Sequence, residues 1–420
     1  MPEIKPNEAQ GTANIKVVGV GGAGGNAINR MREMGLSGVQ LIAMNTDAQD
    51  LRNSKADVKV HLKSDDGRAL GAGADPLKGE KAAQNSLEDI RAALQGADMV
   101  FVAFGAGGGT GSGAGYVVAE EARNLGILTV GVVTKPFEME REVRRRNAEW
   151  AIERLARNVD ALITIPNDRL LEVIDPNIPW RESFKIADDV LRQAVQGITE
   201  IITEEHGINI DFADVCAVMK DAGSALMGIG RASGENRAAL AAQQAIESPL
   251  IEVSIDGARG ILYLVSGGDD VTMAEIKAAS DIITANVNPE ANVIMGLSTR
   301  PELEDEIMVT VIATGFDSEY YRGDPRAQEV FGPNFGATPE VPAQQPIVNS
   351  VEDEPVAPVA QTPVMPSTPI VEDNDDDIRP ESTGASDFTG ATTVNIWNNI
   401  PDTDENDIPA ILRRKKKNKN

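Results

Sequence analysis

The chain has 420 residues, a formal net charge of −26 at pH 7 and a pI near 4.5, with 41% hydrophobic and 4% aromatic residues. So acidic a chain lacks the clustered Lys and Arg that phosphate contacts need, which argues against a nucleic-acid binder, and its length allows two or three domains with sizeable cores. Its one cysteine, Cys216, excludes an internal disulfide and fits a reducing compartment, and its two distant histidines, His61 and His206, argue against a His/Cys metal site.

The opening "MPEIKPNEAQGTA" has no apolar core of a secretory signal. No apolar run reaches the roughly 18 to 20 residues of a membrane span. A cytoplasmic location is expected, with residues 1–13 as an arm before the first strand. From Ile15 the chain alternates strand and helix. "IKVVGV" reads as a buried strand and "GNAINRMREMG" as a helix closed by Gly35. "VQLIAMNTD" is the second strand, a helix lies around Glu88–Leu94, and "DMVFVAFG" is the third strand. "GSGAGYVVAEEARNLG" reads as a helix and "ILTVGVVTKP" as the fourth strand. This rhythm predicts an α/β domain built on a doubly wound parallel sheet, over residues 14–182.

A long central helix follows, about Ser183 to Thr203 within residues 183–204. Leu191, Ala194, Val195, Ile198, Ile201 and Ile202 form its apolar stripe. Residues 205–317 read as a second, α+β domain, in which the strands "GILYLVSGG" and "DEIMVTVIATGF" flank a helix around Met273–Ile283. Beyond Asp317 acids far outnumber bases and prolines are frequent. Residues 318–406 therefore read as a disordered acidic linker, extended by its own repulsion. Residues 407–420, "DIPAILRRKKKNKN", turn abruptly basic after apolar Ile408, Ile411 and Leu412. On composition alone this end is a docking peptide or a solubilising tail.

Two glycine-rich loops carry the chemistry. The first, "VVGVGGAGGN", holds Gly19-x-Gly21-x-x-Gly24 between a strand and a helix, where glycines admit a phosphate to the backbone and to helix N–H donors. With Asp47 placed near where a ribose-binding acid would sit, a nicotinamide-dependent oxidoreductase is one reading. The second loop, Gly107-Gly108-Gly109-Thr110-Gly111-Ser112-Gly113, counts against it, because a dinucleotide fold needs no second cradle there. This loop also lacks the Lys-Ser/Thr of a P-loop. It offers backbone N–H groups, the Thr110 and Ser112 hydroxyls and a helix dipole, which suits binding more than hydrolysis.

"GGGTGSG" resembles the signature loop of the tubulin/FtsZ family. "GVGGAGGNA", "MNTDAQ", "GAGADP", "GILTVGVVTKPF", "IPNDRLL", "VLRQAVQGI", "NIDFAD" and "DGARG" follow that family's pattern in order from about Ile15 to Gly315, and the likeness resumes at "DIPAILRR". The resemblance implies a GTP/GDP-binding, polymerising GTPase. Gly21, Gly22, Ala23, Gly24, Gly25 and Asn26, with Gly107, Gly108, Gly109, Thr110 and Gly111, would wrap the phosphates. Ala72 and Gly73 of "GAGADP" would approach the γ-phosphate, and Asp47 would lie nearby. Glu140 matches the ribose acid, and Arg144 would add positive charge. Asp188 and Asn167 would face the donor edge of guanine, and Phe184 would stack on the base.

The same resemblance places catalysis in "GINIDFAD". The long helix, about 20 residues, spans roughly 30 Å at 1.5 Å per residue. Asn209, Asp211 and Asp214 at its far end would thus serve the nucleotide of the next subunit in a head-to-tail stack. Asp211 and Asp214 would polarise the attacking water and help order Mg2+, itself held mainly by phosphates and water. The expected partners are further copies of the chain and membrane-tethering division adaptors, gripped by Ile408, Pro409, Ile411, Leu412, Arg413 and Arg414 at the mid-cell ring beneath the inner membrane. Lys415–Lys417 would add attraction to acidic lipid or neighbouring linkers. A filament for plasmid partition or cell shape is the alternative.

Three departures from the family pattern stand out. Arg141 replaces the glycine usual after the ribose acid. "REVRRRNAEW" is unusually basic, with Trp150 in place of a small polar residue; it reads as a solvated helix face or as a modified exchange or filament contact. Glu205-His206-Gly207 replaces Pro-Gly-Leu beside the catalytic loop.

Overall fold

The computed structural model describes residues 13–65, 67–173, 179–203, 211–251, 254–285, 287, 288 and 290–316. The first half alternates strictly: β1 (Ile15–Val20), α1 (Gly21–Glu33), β2 (Val39–Asn45), α2 (Ala48–Asn53), β3 (Val58–His61), α3 (Pro76–Gln84), α4 (Leu87–Leu94), β4 (Met99–Gly105), α5 (Thr110–Asn124), β5 (Leu128–Lys135), α6 (Arg141–Ala156), β6 (Ala161–Pro166) and α7 (Asn167–Val173). The long helix α8 (Trp180–Thr203) and the shorter α9 (Phe212–Met219) lead to β7 (Gly223–Ser233), α10 (Arg237–Ile246), β8 (Gly260–Gly267), α11 (Met273–Ala285), β9 (Asn292–Thr299) and β10 (Glu306–Thr314).

The strands form one ten-stranded sheet in the order β3-β2-β1-β4-β5-β6-β7-β10-β8-β9. The first seven pair in parallel. β1 and β4 are near-continuous apolar runs, buried on both faces, as parallel strands covered by helices must be. β7 joins the two halves. Gly223–Ala225 lie parallel to Ala161–Ile163, and the rest of β7 runs antiparallel to β10. β8 then lies antiparallel to β10 and parallel to β9. The winding reverses between β1 and β4. In an open parallel sheet that switch point makes a crevice at the strands' C-terminal ends, where ligands bind.

α8 is the spine of the molecule. Its Leu191, Ala194, Val195, Ile198 and Ile201 are buried in one apolar cluster with Val17, Phe101 and Val130 of the first half and Leu262, Leu264 and Ile312 of the second. Each Leu or Ile so buried contributes about 1.5–3 kcal/mol of transfer free energy. Ile202, expected in the stripe, is only partly buried. α3–α6 cover the other face of the first half, and α10 and α11 that of the second.

The parallel sheet, the central helix and the α+β half follow the expected fold class, with two differences. α8 begins at Trp180, earlier than Ser183. β3, β6, β7 and β9, with α2, α3, α7 and α10, add elements that the apolar runs did not announce. Among the described residues, no helix is long and apolar enough to cross a membrane.

Candidate functional site

At the switch point three loops converge. β1 ends at Val20, and Gly21 opens α1 with φ 73°; a Cβ on Gly21 would lie 2.8 Å from the Gly111 nitrogen. β4 ends at Gly105, and Gly107 takes φ 100°, where a Cβ would lie 2.9 Å from the Arg144 carbonyl. Both conformations suit glycine because a side chain would clash. A Cβ on Gly109 would press on Ala72 at 2.8 Å, so the 71–75 loop closes on the same point. Between the loops lies a cleft of about 320 Å3, with Gly22, Ala23, Ala72, Gly73, Gly108 and Gly109 in its wall. With so little side chain in that wall, a ligand meets main chain. The first-turn N–H groups of α1 and α5 have no acceptor within their helices and suit an anion.

The hydroxyls of the second loop also hold the loop itself. Ser112 is fully buried, and its Oγ accepts the Gly107 N–H at 2.9 Å. The Thr110 and Thr46 hydroxyls bond each other at 2.6 Å. Ser112 braces its own loop, and Thr110 ties it to the end of β2.

Charged groups rim the cleft. Glu140 ends a short 3-10 turn, Glu138–Glu140. Its Oε1 accepts the Phe137 N–H at 3.0 Å, and its Oε2 pairs with Arg144 Nη1 at 3.0 Å. The next residue, Arg141, has φ 72° and ψ 171°, a region populated essentially by glycine and costing about 1–3 kcal/mol for other residues. At the far wall Asn167, 8% exposed, begins α7, and its Oδ1 is buried without a partner. Asp188 on α8 also lines the cleft. Burial pushes its carboxyl up to about 6, and it makes no hydrogen bond or ion pair among the described residues. Two unmatched polar groups in one cleft are costly and fit a ligand that presents hydrogen-bond donors.

Comparison with known proteins agrees with this geometry. Residues 14–175 match the tubulin/FtsZ family GTPase domain, and residues 223–317 match the FtsZ family C-terminal domain. A solved FtsZ dimer from M. jannaschii, described as empty, is 46% identical with a TM-score of 0.71, covering 73% of this chain and 89% of that one. The chain is a member of the FtsZ family. It is therefore a GTP-binding GTPase of the tubulin/FtsZ type, which decides against the nicotinamide reading of Gly19–Gly24. A solved point mutant of M. jannaschii FtsZ matches equally well, at 46% identity and TM-score 0.71, over 74% of this chain and 93% of that one. CetZ2 from Haloferax volcanii, described as a GTPγS-bound protofilament, shares the fold at 19% identity and TM-score 0.63, over 76% and 96% of the two chains.

Within this FtsZ-family chain, Gly22, Ala23, Ala72, Gly73, Gly108, Gly109, Thr110, Gly111, Glu140, Arg144, Asn167 and Asp188 line the cleft together. Gly24 instead seats α1 on β4, where a Cβ would lie 2.5 Å from the Ala103 carbonyl. Gly21, Gly25 and Asn26 edge a neighbouring cavity of about 100 Å3. Asp47 caps α2, accepting the N–H groups of Gln49 at 2.8 Å and Asp50 at 3.3 Å. The Phe184 side chain, Asn209 and all of 408–414 lie outside the described residues, as do Glu205-His206-Gly207. Asp211 caps α9 through the Ala213 N–H at 3.1 Å, and Asp214 is exposed in the same first turn. Neither lines the cleft; the stretch of α8 from Asp188 to Thr203 alone spans about 22 Å. Thr134, at the C-terminal end of β5, and Ala187, beside Asp188, also line the cleft but were not singled out from sequence. Their signal was position alone: the end of a parallel strand and the helix face next to an acid.

Proposed function

We propose that this chain assembles head to tail into filaments, hydrolyses GTP at the junctions and builds the cytokinetic (Z) ring of bacterial cell division. The observation that supports the reading is that Asp211 and Asp214, the acids expected to be catalytic, do not line the cleft. The cleft holds groups suited to phosphate, ribose and base, but its one carboxylate near the phosphate loops, Glu140, is already engaged by Phe137 and Arg144. Asp211 and Asp214 stand elsewhere and exposed. A second copy would bring them to the cleft. Its docking surface is foreshadowed by Leu70 (76% exposed), Met139 (66%), Leu77 and Val143, each within three residues of a cleft-lining position. An unpartnered apolar rim of this kind marks a contact surface, and a heterologous contact propagates. Self-association accords with relatives described as a dimer and a protofilament.

In this scheme the loops at Gly21–Asn26, Ala72–Gly73 and Gly107–Gly111 hold the phosphates, Glu140 accepts from the ribose hydroxyls, and Asp188 and Asn167 accept from guanine, with Phe184 stacking on it. Adenine offers no matching donor pair, so GTP is selected. Asp211 and Asp214 orient the attacking water from the next subunit, and Asn209 positions that loop. A Mg2+ would rest on phosphates and water, offsetting phosphate charge. The 408–414 peptide would tether filaments to membrane adaptors.

Sedimentation with GTP, GDP or ATP, with phosphate release alongside, tests the proposal. Pelleting and turnover are expected with GTP alone; neither with GTP would contradict it. Asp214→Ala should keep GTP affinity and lose about 10²-fold or more in turnover, as removal of a positioned general base does.

A further inference from the structure

Thr46 and Thr110 meet hydroxyl to hydroxyl at 2.6 Å. Thr46 follows β2 and is 1% exposed; Thr110 opens α5, is 9% exposed and lines the cleft. Each hydroxyl has one proton to give, and only one of the two protons can lie between them. The Thr46 hydroxyl makes no other hydrogen bond among the described residues. Were Thr110 to give the shared proton, the proton of Thr46 would be buried with no acceptor, which folded proteins rarely tolerate. The shared proton therefore belongs to Thr46, and Thr110 accepts it. Thr110 keeps its own proton, which has no acceptor among the described residues, at the wall of the cleft.

We infer that Thr46 is a positioning residue: by donating to Thr110 it commits the Thr110 proton to an anionic oxygen in the cleft, a phosphate oxygen of the bound nucleotide. The inference rests on the reading that this loop holds phosphate, and adds to it a residue that never meets the ligand. Thr110 stands between the two glycine loops, since a Cβ on Gly21 would lie 3.3 Å from the Thr110 Cβ. A hydroxyl that accepts a hydrogen bond is polarised into a stronger donor, and a bond to a charged acceptor is stronger than one to a neutral acceptor. The loop keeps its place by packing as well. Ser112 accepts the Gly107 N–H, and a Cβ on Gly111 would lie 3.1 Å from the Gly105 carbonyl oxygen and 3.3 Å from that of Val20. The hydroxyl pair thus sets the direction of a proton more than the position of the chain. It also lets the end of β2 act on the cleft from behind its wall, because Thr46 does not line it.

The test uses the full chain below any assembly concentration, with GTP affinity read by equilibrium dialysis. Thr46→Val keeps the branched shape and loses the hydroxyl; it should weaken GTP binding about threefold to tenfold, as loss of one neutral hydrogen bond does. Thr110→Val should weaken it about tenfold or more, since the bond lost is to a charged acceptor. Thr46→Ser should restore affinity, and Thr46→Val should cost nothing further in the Thr110→Val background. With GDP bound, amide hydrogen exchange across residues 107–112 should be the same in Thr46→Val as in the unaltered chain. Faster exchange there would make Thr46 a brace for the loop and overturn the inference. Unchanged affinity in Thr46→Val beside a loss in Thr110→Val overturns it and leaves phosphate binding by the loop standing. Unchanged affinity in both overturns it together with the phosphate role of Thr110. Should Thr46→Val fail a thermal-melt check, Thr46→Ala gives the same reading: weakened binding supports the inference and full affinity contradicts it.

Discussion

Asp188 and Asp189 are neighbours on α8, turned about 100° from each other, and face opposite conditions. Asp188 lines the nucleotide cleft without a partner, and burial lifts its carboxyl to about 6. Asp189 lines the opening between α8 and the second half of the sheet. Burial alone would raise it too, but hydrogen bonds from Arg192, Gln193 and Arg30 outweigh that and hold it at about 2. Its network continues from Arg192 to Gln196, from Gln196 to Glu200, and from Arg300 to Glu200. An acid whose bonds are complete holds α1 to α8 and serves structure. An acid left incomplete costs stability in the empty protein, and a ligand that completes it recovers that cost as affinity.

Substitution at the two positions should separate these roles. The largest effect is expected from Asp188→Ala: GTP affinity by calorimetry should fall about 10²-fold, near 3 kcal/mol, since a charged acceptor for two donors is lost, with no loss of melting temperature. Asp189→Ala should instead cost about 2–3 kcal/mol in urea unfolding, because Arg192 is left buried without its carboxylate, while affinity per folded chain stays unchanged. Exchanged phenotypes would break the comparison.

The pH responses should differ in sign. A raised carboxylate means that the folded chain holds its proton more tightly than the unfolded one. Stability from Asp188 therefore declines as pH rises from about 4 to about 6. Asp189, depressed, contributes stability above about 4 that is lost as pH falls toward 2. In the proposed role Asp188 accepts from guanine as a carboxylate, so GTP affinity should fall below pH 6 by up to about tenfold per unit, and Asp188→Asn should flatten that slope. The smallest effect is at Arg141: Arg141→Gly should raise the stability of the nucleotide-free chain by about 1 kcal/mol, read by urea unfolding.

Much of this is legible in the sequence. The apolar runs of β1, β4 and β5 and the 3.6-residue stripe of α8 are patterns a sequence carries openly, and the glycine loops fall where the sheet's switch point places the cleft. β3 is four residues with mixed burial, and β7, "GSALMGIGRAS", is too rich in glycine to read as a strand. Nor could composition show that the Ser112 hydroxyl turns inward, or which of two adjacent acids meets arginine. Those depend on rotation about a helix and on partners far away in sequence, such as Arg30 for Asp189. Arg141 was visible as a departure from pattern; that it bears a glycine's backbone angles belongs to the folded loop.

The central claim is that binding and catalysis reside in different subunits. Phosphate release per chain, measured across a wide range of protein concentration at saturating GTP, tests it most directly. The account predicts turnover near zero in dilute protein, rising steeply above an assembly threshold, with Asp214→Ala flat throughout. Turnover per chain that stays constant down to concentrations where the protein sediments as a monomer would contradict it.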